Sequence, residues 1–247
     1  MEDRKFSTFL FMLIDLLQRE CAAKLKGGLY HKTQIKFAYN SNRIEGSKLT
    51  EDQTRYIFET NTIHTGEKEA ANVDDILETV NHFACFDYML SVAKQNLSEA
   101  IIKKFHKILK STTSDSKKDW FNVGAYKKLP NTVGNLETTP PKKVRQEMQS
   151  LSSSYLEKKN ITFEDIIEFH CKFEKIHPFQ DGNGRVGRLI MFKECLKYNI
   201  APFIINNEHK SFYYRGLQEY ERIKEYLLDT CRSAQDEYRR ITEYFCK

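Results

Sequence analysis

The sequence predicts an all-α fold, a helical bundle with a small β-hairpin. Three observations lead there. Apolar residues recur at three- and four-residue spacing along most of the chain, the period of helices that bury one face. Only 5 Pro and 10 Gly punctuate 247 residues, too few for a turn-rich β architecture. One window, between Trp120 and Pro141, holds Gly124, Pro130, Gly134 and Pro140 in close succession.

The elements follow in order. Phe6, Phe9, Leu10, Leu13, Ile14 and Leu17 share the face of a first helix, and Gly27-Gly28 separates it from the next. That second helix covers about 30–45 and stops at Gly46. Thr50 and Gln53 have the spacing of a capping box that opens a third. Val73, Ile76, Leu77, Val80 and Phe83 mark a long helix, and Ile101, Ile102, Phe105 and Ile108 another. Then the pattern changes. Gly124, Pro130, Gly134 and Pro140 alternate with β-favouring pieces at 121–126 and 132–133, which predicts a hairpin or flap over 121–135. Helix resumes at 142–158. Thr162 caps the next helix, and Pro178 ends it by pushing the preceding residue out of the α region. Val186, Leu189, Ile190 and Leu196 continue as helix after a glycine-rich loop, and Tyr220, Ile223, Leu227, Cys231 and Tyr238 carry helical spacing to the end. No linker or repeat interrupts the chain, so 1–247 reads as one domain.

Composition narrows the function classes. Apolar residues are 40% and charged residues 30%, a globular balance rather than a disordered one. Lys+Arg at 39 against Asp+Glu at 34 leaves a net +5, which poses a choice between nucleic acid and something smaller and phosphorylated. No apolar run approaches the roughly 18 residues of a membrane span. The N-terminus lacks the uninterrupted apolar core of a signal peptide, so a cytoplasmic protein is expected. Cys21, Cys85, Cys171, Cys195, Cys231 and Cys246 are far apart with no C-x-x-C pair, and read as reduced thiols rather than a zinc site or disulfide framework.

The chemistry concentrates in residues 177–188, His-Pro-Phe-Gln-Asp-Gly-Asn-Gly-Arg-Val-Gly-Arg, between two helices. Gly182, Asn183 and Gly184 stand just before a helix. Glycines let several backbone N–H groups converge there, and the helix N-terminus adds partial positive charge, which together make an anion site. Arg185 and Arg188, one helical turn apart, suit a polyphosphate. Asp181 beside them is a hard oxygen donor of the kind that holds Mg²⁺ together with substrate oxygens. His177 is the one group of the loop that takes a proton near neutral pH.

This segment resembles the signature H-x-F-x-D/E-G-N-G-R-x-x-R of the Fic family and matches it at every position. The resemblance to the catalytic core covers roughly 98–217, with C-terminal helices over 218–247. It implies transfer of AMP from ATP to a Ser, Thr or Tyr hydroxyl of a protein, with release of pyrophosphate. In that scheme His177 deprotonates the hydroxyl and Asp181 holds Mg²⁺. Gly182, Asn183 and Gly184 line the anion hole, and Arg185 and Arg188 hold the β- and γ-phosphates. The kinase-like branch of the family, typified by the Doc toxin, has Lys where this chain has Gly184, which favours nucleotide transfer.

Ser41, Glu45 and Gly46 close the second helix. Read alone, this is a helix end with Gly46 as its stop. A carboxylate in the last turn opposes the helix dipole, however, so Glu45 calls for a partner elsewhere. The segment is similar to the family's inhibitory motif S/T-x-x-x-E-G/N. That implies an inhibitory helix over about 30–46 in which Glu45 pairs with Arg188. The flap resembles the family's target-docking hairpin, which assigns docking to Asn131, Thr132 and Val133. Tyr214, with Tyr213 second, falls where relatives place an adenine contact. An asparagine expected further on is Glu221 here.

Expected partners are therefore ATP and a protein hydroxyl, on a target or on the chain itself, with no membrane and no nucleic acid. A homo-oligomer stays open. Three rival readings are carried forward: hydrolytic deAMPylation with Glu45 as base, transfer of another nucleotide, and a nucleic-acid-binding regulator suggested by the basic balance alone.

Overall fold

The structure, a computed structural model, describes residues 2–66, 70–134 and 136–245. Cys246 lies outside them. Among the described residues the chain forms ten α-helices and one two-stranded hairpin, the all-α class expected. In order these are α1 (Glu2–Ala22), α2 (Leu29–Ile44), α3 (Glu51–Thr60), α4 (Val73–Ser91) and α5 (Glu99–Leu109). Strands β1 (Thr132–Val133) and β2 (Leu136–Glu137) follow, then α6 (Pro141–Leu156), α7 (Phe163–Ile176), α8 (Asn183–Lys197), α9 (Lys210–Glu219) and α10 (Glu225–Glu243).

Local sequence explains the boundaries. Thr50 and Gln53 close a reciprocal capping box on α3, and Thr162 and Asp165 do the same on α7. Ser98 accepts from the Ile101 amide to start α5. α1 and α2 meet through Glu20, whose Oε2 accepts the Tyr30 N–H at 2.8 Å and so satisfies a donor of the first turn of α2.

α8 is the central rod, packed by α1, α2, α4, α5 and α7. The reason is in its composition: Val186, Leu189, Ile190, Met191, Phe192 and Cys195 are buried on all its sides rather than on one stripe. Among the polar residues that share that burial, Lys193 and Glu194 pair at 2.7 Å. A second apolar cluster joins α7 and α8 to α9 and α10 through Cys171, Tyr213, Leu227 and Cys231.

The hairpin is smaller than expected. Residues 121–126 are not a strand. Gly124 sits at φ +74°, the Asn122 side chain donates to the Tyr126 carbonyl at 3.1 Å, and the Gly124 N–H donates to His106 Nδ1 at 2.9 Å. These bonds fold the segment into a turn against α5, where β propensity has no partner strand to act on. The β pairing is instead Thr132 with Glu137 and Val133 with Leu136, antiparallel, all four residues exposed. No helix among the described residues is long and apolar enough to cross a membrane.

Candidate active site

α7 ends at His177, which takes a left-handed backbone (φ +50°) that only a few non-glycine residues tolerate. This turn throws the chain across the N-terminus of α8. Phe179 anchors the loop, fully buried and stacked on the His106 ring at 4.0 Å. Asn183 staples it: the side chain accepts from the Phe179 N–H at 2.8 Å and donates to the Phe179 carbonyl at 3.0 Å. Of the three residues assigned to the anion hole, Asn183 therefore contributes backbone only. Gly182 caps α8 at φ +80°, a conformation that explains its lack of a side chain.

His177 Nδ1 lies 3.4 Å from the Glu174 carbonyl. With the proton on Nδ1 facing that carbonyl, Nε2 carries the lone pair. Burial, and after it the Lys127 ammonium, lower the His177 pKa to about 4, so the imidazole is neutral at physiological pH.

Asp181 is 49% exposed at its side chain, yet both its ion pairs fall on Oδ2: Lys110 Nζ at 2.7 Å and Arg185 Nη2 at 3.2 Å. Burial would raise its pKa, but these two cations outweigh it and hold the carboxyl well below the usual carboxylate range. Arg185 is also held by Glu78 of α4, and its Nη1 lies 3.5 Å from Asn42 Oδ1 on α2. Lys110, 2% exposed, further contacts Glu78 and Asp115. Arg185 is thus engaged by carboxylates rather than standing open to the loop.

Arg188 is buried and turned towards the end of α2. Its Nε donates to Ser41 Oγ at 3.0 Å, and Nη2 donates to the Ser41 carbonyl at 2.9 Å and to Glu45 Oε1 at 2.7 Å. This is the distant partner that the position of Glu45, now the C-cap of α2, called for. The Glu45 carboxylate rests over the glycine turn: a Cβ on Gly184 would meet its Oε1 at 2.2 Å and Arg188 Nη1 at 3.0 Å. Arg188 Nη1 and Arg185 Nε are buried with no acceptor among the described residues.

The two tyrosines divide. Tyr213 is 1% exposed, with its hydroxyl 2.6 Å from His170 Nε2 and its ring 5.8 Å from the Arg188 guanidinium. It supports Arg188 from the core rather than facing the cleft. Tyr214 is 39% exposed and its hydroxyl donates to the Ile44 carbonyl at 3.2 Å, beside Glu45. Glu221 is far from this cluster in kind: its carboxylate is at the surface, paired with Lys175. Asn131 lies at the loop, donating to the Phe179 carbonyl at 3.1 Å, with Thr132 and Val133 following it outwards in β1.

Several participants are invisible in the sequence. Glu78, Lys110, Lys127 and Glu174 carry no motif, and each is recruited by tertiary packing. Glu174 lies beside His170 at Gly187, and burial followed by the nearby Glu45 carboxylate raises its pKa to about 8.

The fold thus gathers a neutral histidine, a carboxylate, a glycine-opened helix N-terminus and two arginines on a helical bundle beside a hairpin. In the sequence comparison, residues 96–195 match the model of the Fic/DOC family. A protein from Nematostella vectensis named protein adenylyltransferase Fic is 28% identical over 207 residues, 78% of this chain and 46% of its own. One of the same name from Aedes aegypti is 27% identical over 187 residues, 74% of this chain and 36% of its own. The chain thus spans less than half the length of these curated relatives. A Fic domain-containing signalling protein from Bacteroides thetaiotaomicron superposes with a TM-score of 0.76 at 23% identity, over 98% of this chain and 96% of its own. Fic-1 from Caenorhabditis elegans gives 0.70 at 19% identity, over 96% and 71%. These two likenesses are of fold.

Proposed function

We propose that this chain is a protein adenylyltransferase that moves AMP from ATP onto a Ser, Thr or Tyr hydroxyl of a target protein or of itself. The observation that carries the reading is the placement of a neutral His177 four residues before a carboxylate and at the mouth of a glycine-lined helix N-terminus. The names of the relatives support it. His177 Nε2 takes the hydroxyl proton as the oxygen attacks the α-phosphorus, the bond to the bridging oxygen breaks, and pyrophosphate leaves. The backbone N–H groups at Gly182–Asn183–Gly184 and the Arg188 guanidinium receive phosphate charge, and the buried, acceptor-free Arg188 Nη1 is the donor best aimed at it.

Asp181 suits Mg²⁺. It is a hard, half-exposed carboxylate with one oxygen outside its ion pairs, although no group of three or more His, Cys, Asp or Glu side chains among the described residues forms an all-protein cage. That is the donor set of an ion shared with substrate phosphates. When bound, Mg²⁺ would neutralise phosphate charge.

Glu45 is the inhibitory group of this reading. It occupies the position from which Arg188 and the glycine turn would greet a γ-phosphate, so a triphosphate has to displace it. The same nearness of Glu45 to Gly184 favours a second activity, in which its carboxylate aligns water to hydrolyse AMP from a modified target. Mass spectrometry after incubation of the chain with ATP and Mg²⁺ tests the main reading. A mass gain of one AMP unit supports it, and no gain even in Glu45→Gly contradicts it. Release of AMP from a pre-modified target tests the second.

A further inference from the structure

Lys127 is a buried ammonium. It is 3% exposed and forms no ion pair among the described residues. Among the described residues its Nζ donates only to neutral oxygens: Asn131 Oδ1 at 2.7 Å, Thr138 Oγ1 at 2.5 Å and the Ile176 carbonyl at 3.5 Å. Burying a charge on such terms is costly, so its retention points to work done by its position.

The three acceptors come from three places. Asn131 precedes β1, Thr138 follows β2, and Ile176 is the last residue of α7, one before His177. Thr138 Oγ1 closes the base of the hairpin by donating to the Asn131 carbonyl at 2.9 Å. Around this knot the Lys127 N–H donates to the Pro178 carbonyl at 2.9 Å, and the Leu129 N–H donates to Gln180 Oε1 at 3.3 Å. The hairpin is therefore bolted to the loop that carries His177, and the bolt is a cation whose charge acts on that imidazole.

We propose that Lys127 is a positioning residue that fixes the hairpin to the base-bearing loop and sets the electrostatic environment of His177, so that one ammonium governs both target docking and the base. Its charge opposes a proton on His177, while the Asp181 and Glu45 carboxylates and the Glu174 carbonyl favour one. The neutral acceptors leave Lys127 itself with a pKa lowered by burial to about 8, so it is charged at neutral pH. The inference rests on the adenylyl-transfer reading in calling His177 a base and the hairpin a docking element.

The test needs no ATP, so its failure is distinct from failure of that reading. In the full chain, Lys127→Met should raise the half-titration pH of His177, followed by NMR of the imidazole, by about 1, as removal of a neighbouring like charge does. The same variant should speed amide hydrogen exchange over residues 132–137 by roughly tenfold or more, with α8 unaffected, because a charge-assisted anchor is lost. Lys127→Arg should restore both. An unchanged His177 titration overturns the proposal, and so does unchanged hairpin exchange. Faster exchange in α8 as well as the hairpin, not rescued by Arg, makes Lys127 a fold residue only and also overturns it.

Discussion

Replacing Glu45 by Gly removes the carboxylate that holds Arg188 at 2.7 Å. The size of the effect can be worked from the contact. Arg188 is 2% exposed and Glu45 29% at the side chain, so the pair is only partly screened by solvent. An ionic hydrogen bond in such a setting contributes about 1.5–3 kcal/mol. Arg188 keeps its two bonds to Ser41, so it stays in place while its carboxylate competitor is gone. With every ~1.4 kcal/mol worth a factor of ten, transfer at limiting ATP should rise by about ten- to a hundredfold. The assay is self-labelling with labelled ATP and Mg²⁺, run beside calorimetric titration of ATP. Glu45→Gln, which keeps a hydrogen bond and loses the charge, should fall between. Transfer and ATP affinity both unchanged in Glu45→Gly would refute the competition between Glu45 and phosphate.

Three further outcomes are expected. His177→Ala should abolish labelling in the Glu45→Gly background while ATP affinity by calorimetry stays within about twofold, since the imidazole meets the hydroxyl rather than the triphosphate. The acid limb of activity should follow His177: a base fails when protonated, and protonation is postponed from the ordinary ~6.5 to about pH 4, so labelling at pH 5.5 should keep more than half its pH 7.5 rate, whereas a roughly tenfold loss would mean an unshifted histidine. Gly216→Ala should destabilise the fold without touching the site, because the new Cβ would lie 2.7 Å from the Leu227 Cα, a backbone atom that cannot rotate away. Overpacking of this kind costs about 1–3 kcal/mol, which thermal unfolding should report as a drop of roughly 2–12 °C.

What could be read from the sequence was whatever the chain keeps contiguous. The loop 177–188 carries its own chemistry, and the capping boxes at Thr50 and Thr162 are local signals, so both were legible. Glu45 was half legible: its misfit with the dipole of α2 announced a partner, but only the packing of α2 on α8 brings Arg188 to it across 143 positions. Residues 121–126 misled because β propensity speaks only when a neighbouring strand exists, and here His106 takes the Gly124 N–H instead. Tyr213 and Tyr214 are adjacent and chemically identical, and only the rotation of α9 decides which faces the core. Lys110, Lys127 and Glu78 sit in a chain where charged residues are common, and nothing at their positions distinguishes a buried ion from a solvated one.

The placement of Glu45 at the C-cap of α2, with Gly46 beyond it at φ +105°, bears on speed. The Glu45 carboxylate is held there by its side-chain contact to Arg188. One residue past the end, it can leave Arg188 by rotating about its own side-chain bonds while Ser41 and Asn42 stay packed. Side-chain rotation is a picosecond-to-nanosecond event and helix remodelling takes microseconds or longer. Release of Arg188 would then leave the far-ultraviolet circular dichroism unchanged, and the encounter with nucleotide, rather than refolding of α2, would set the pace of the switch.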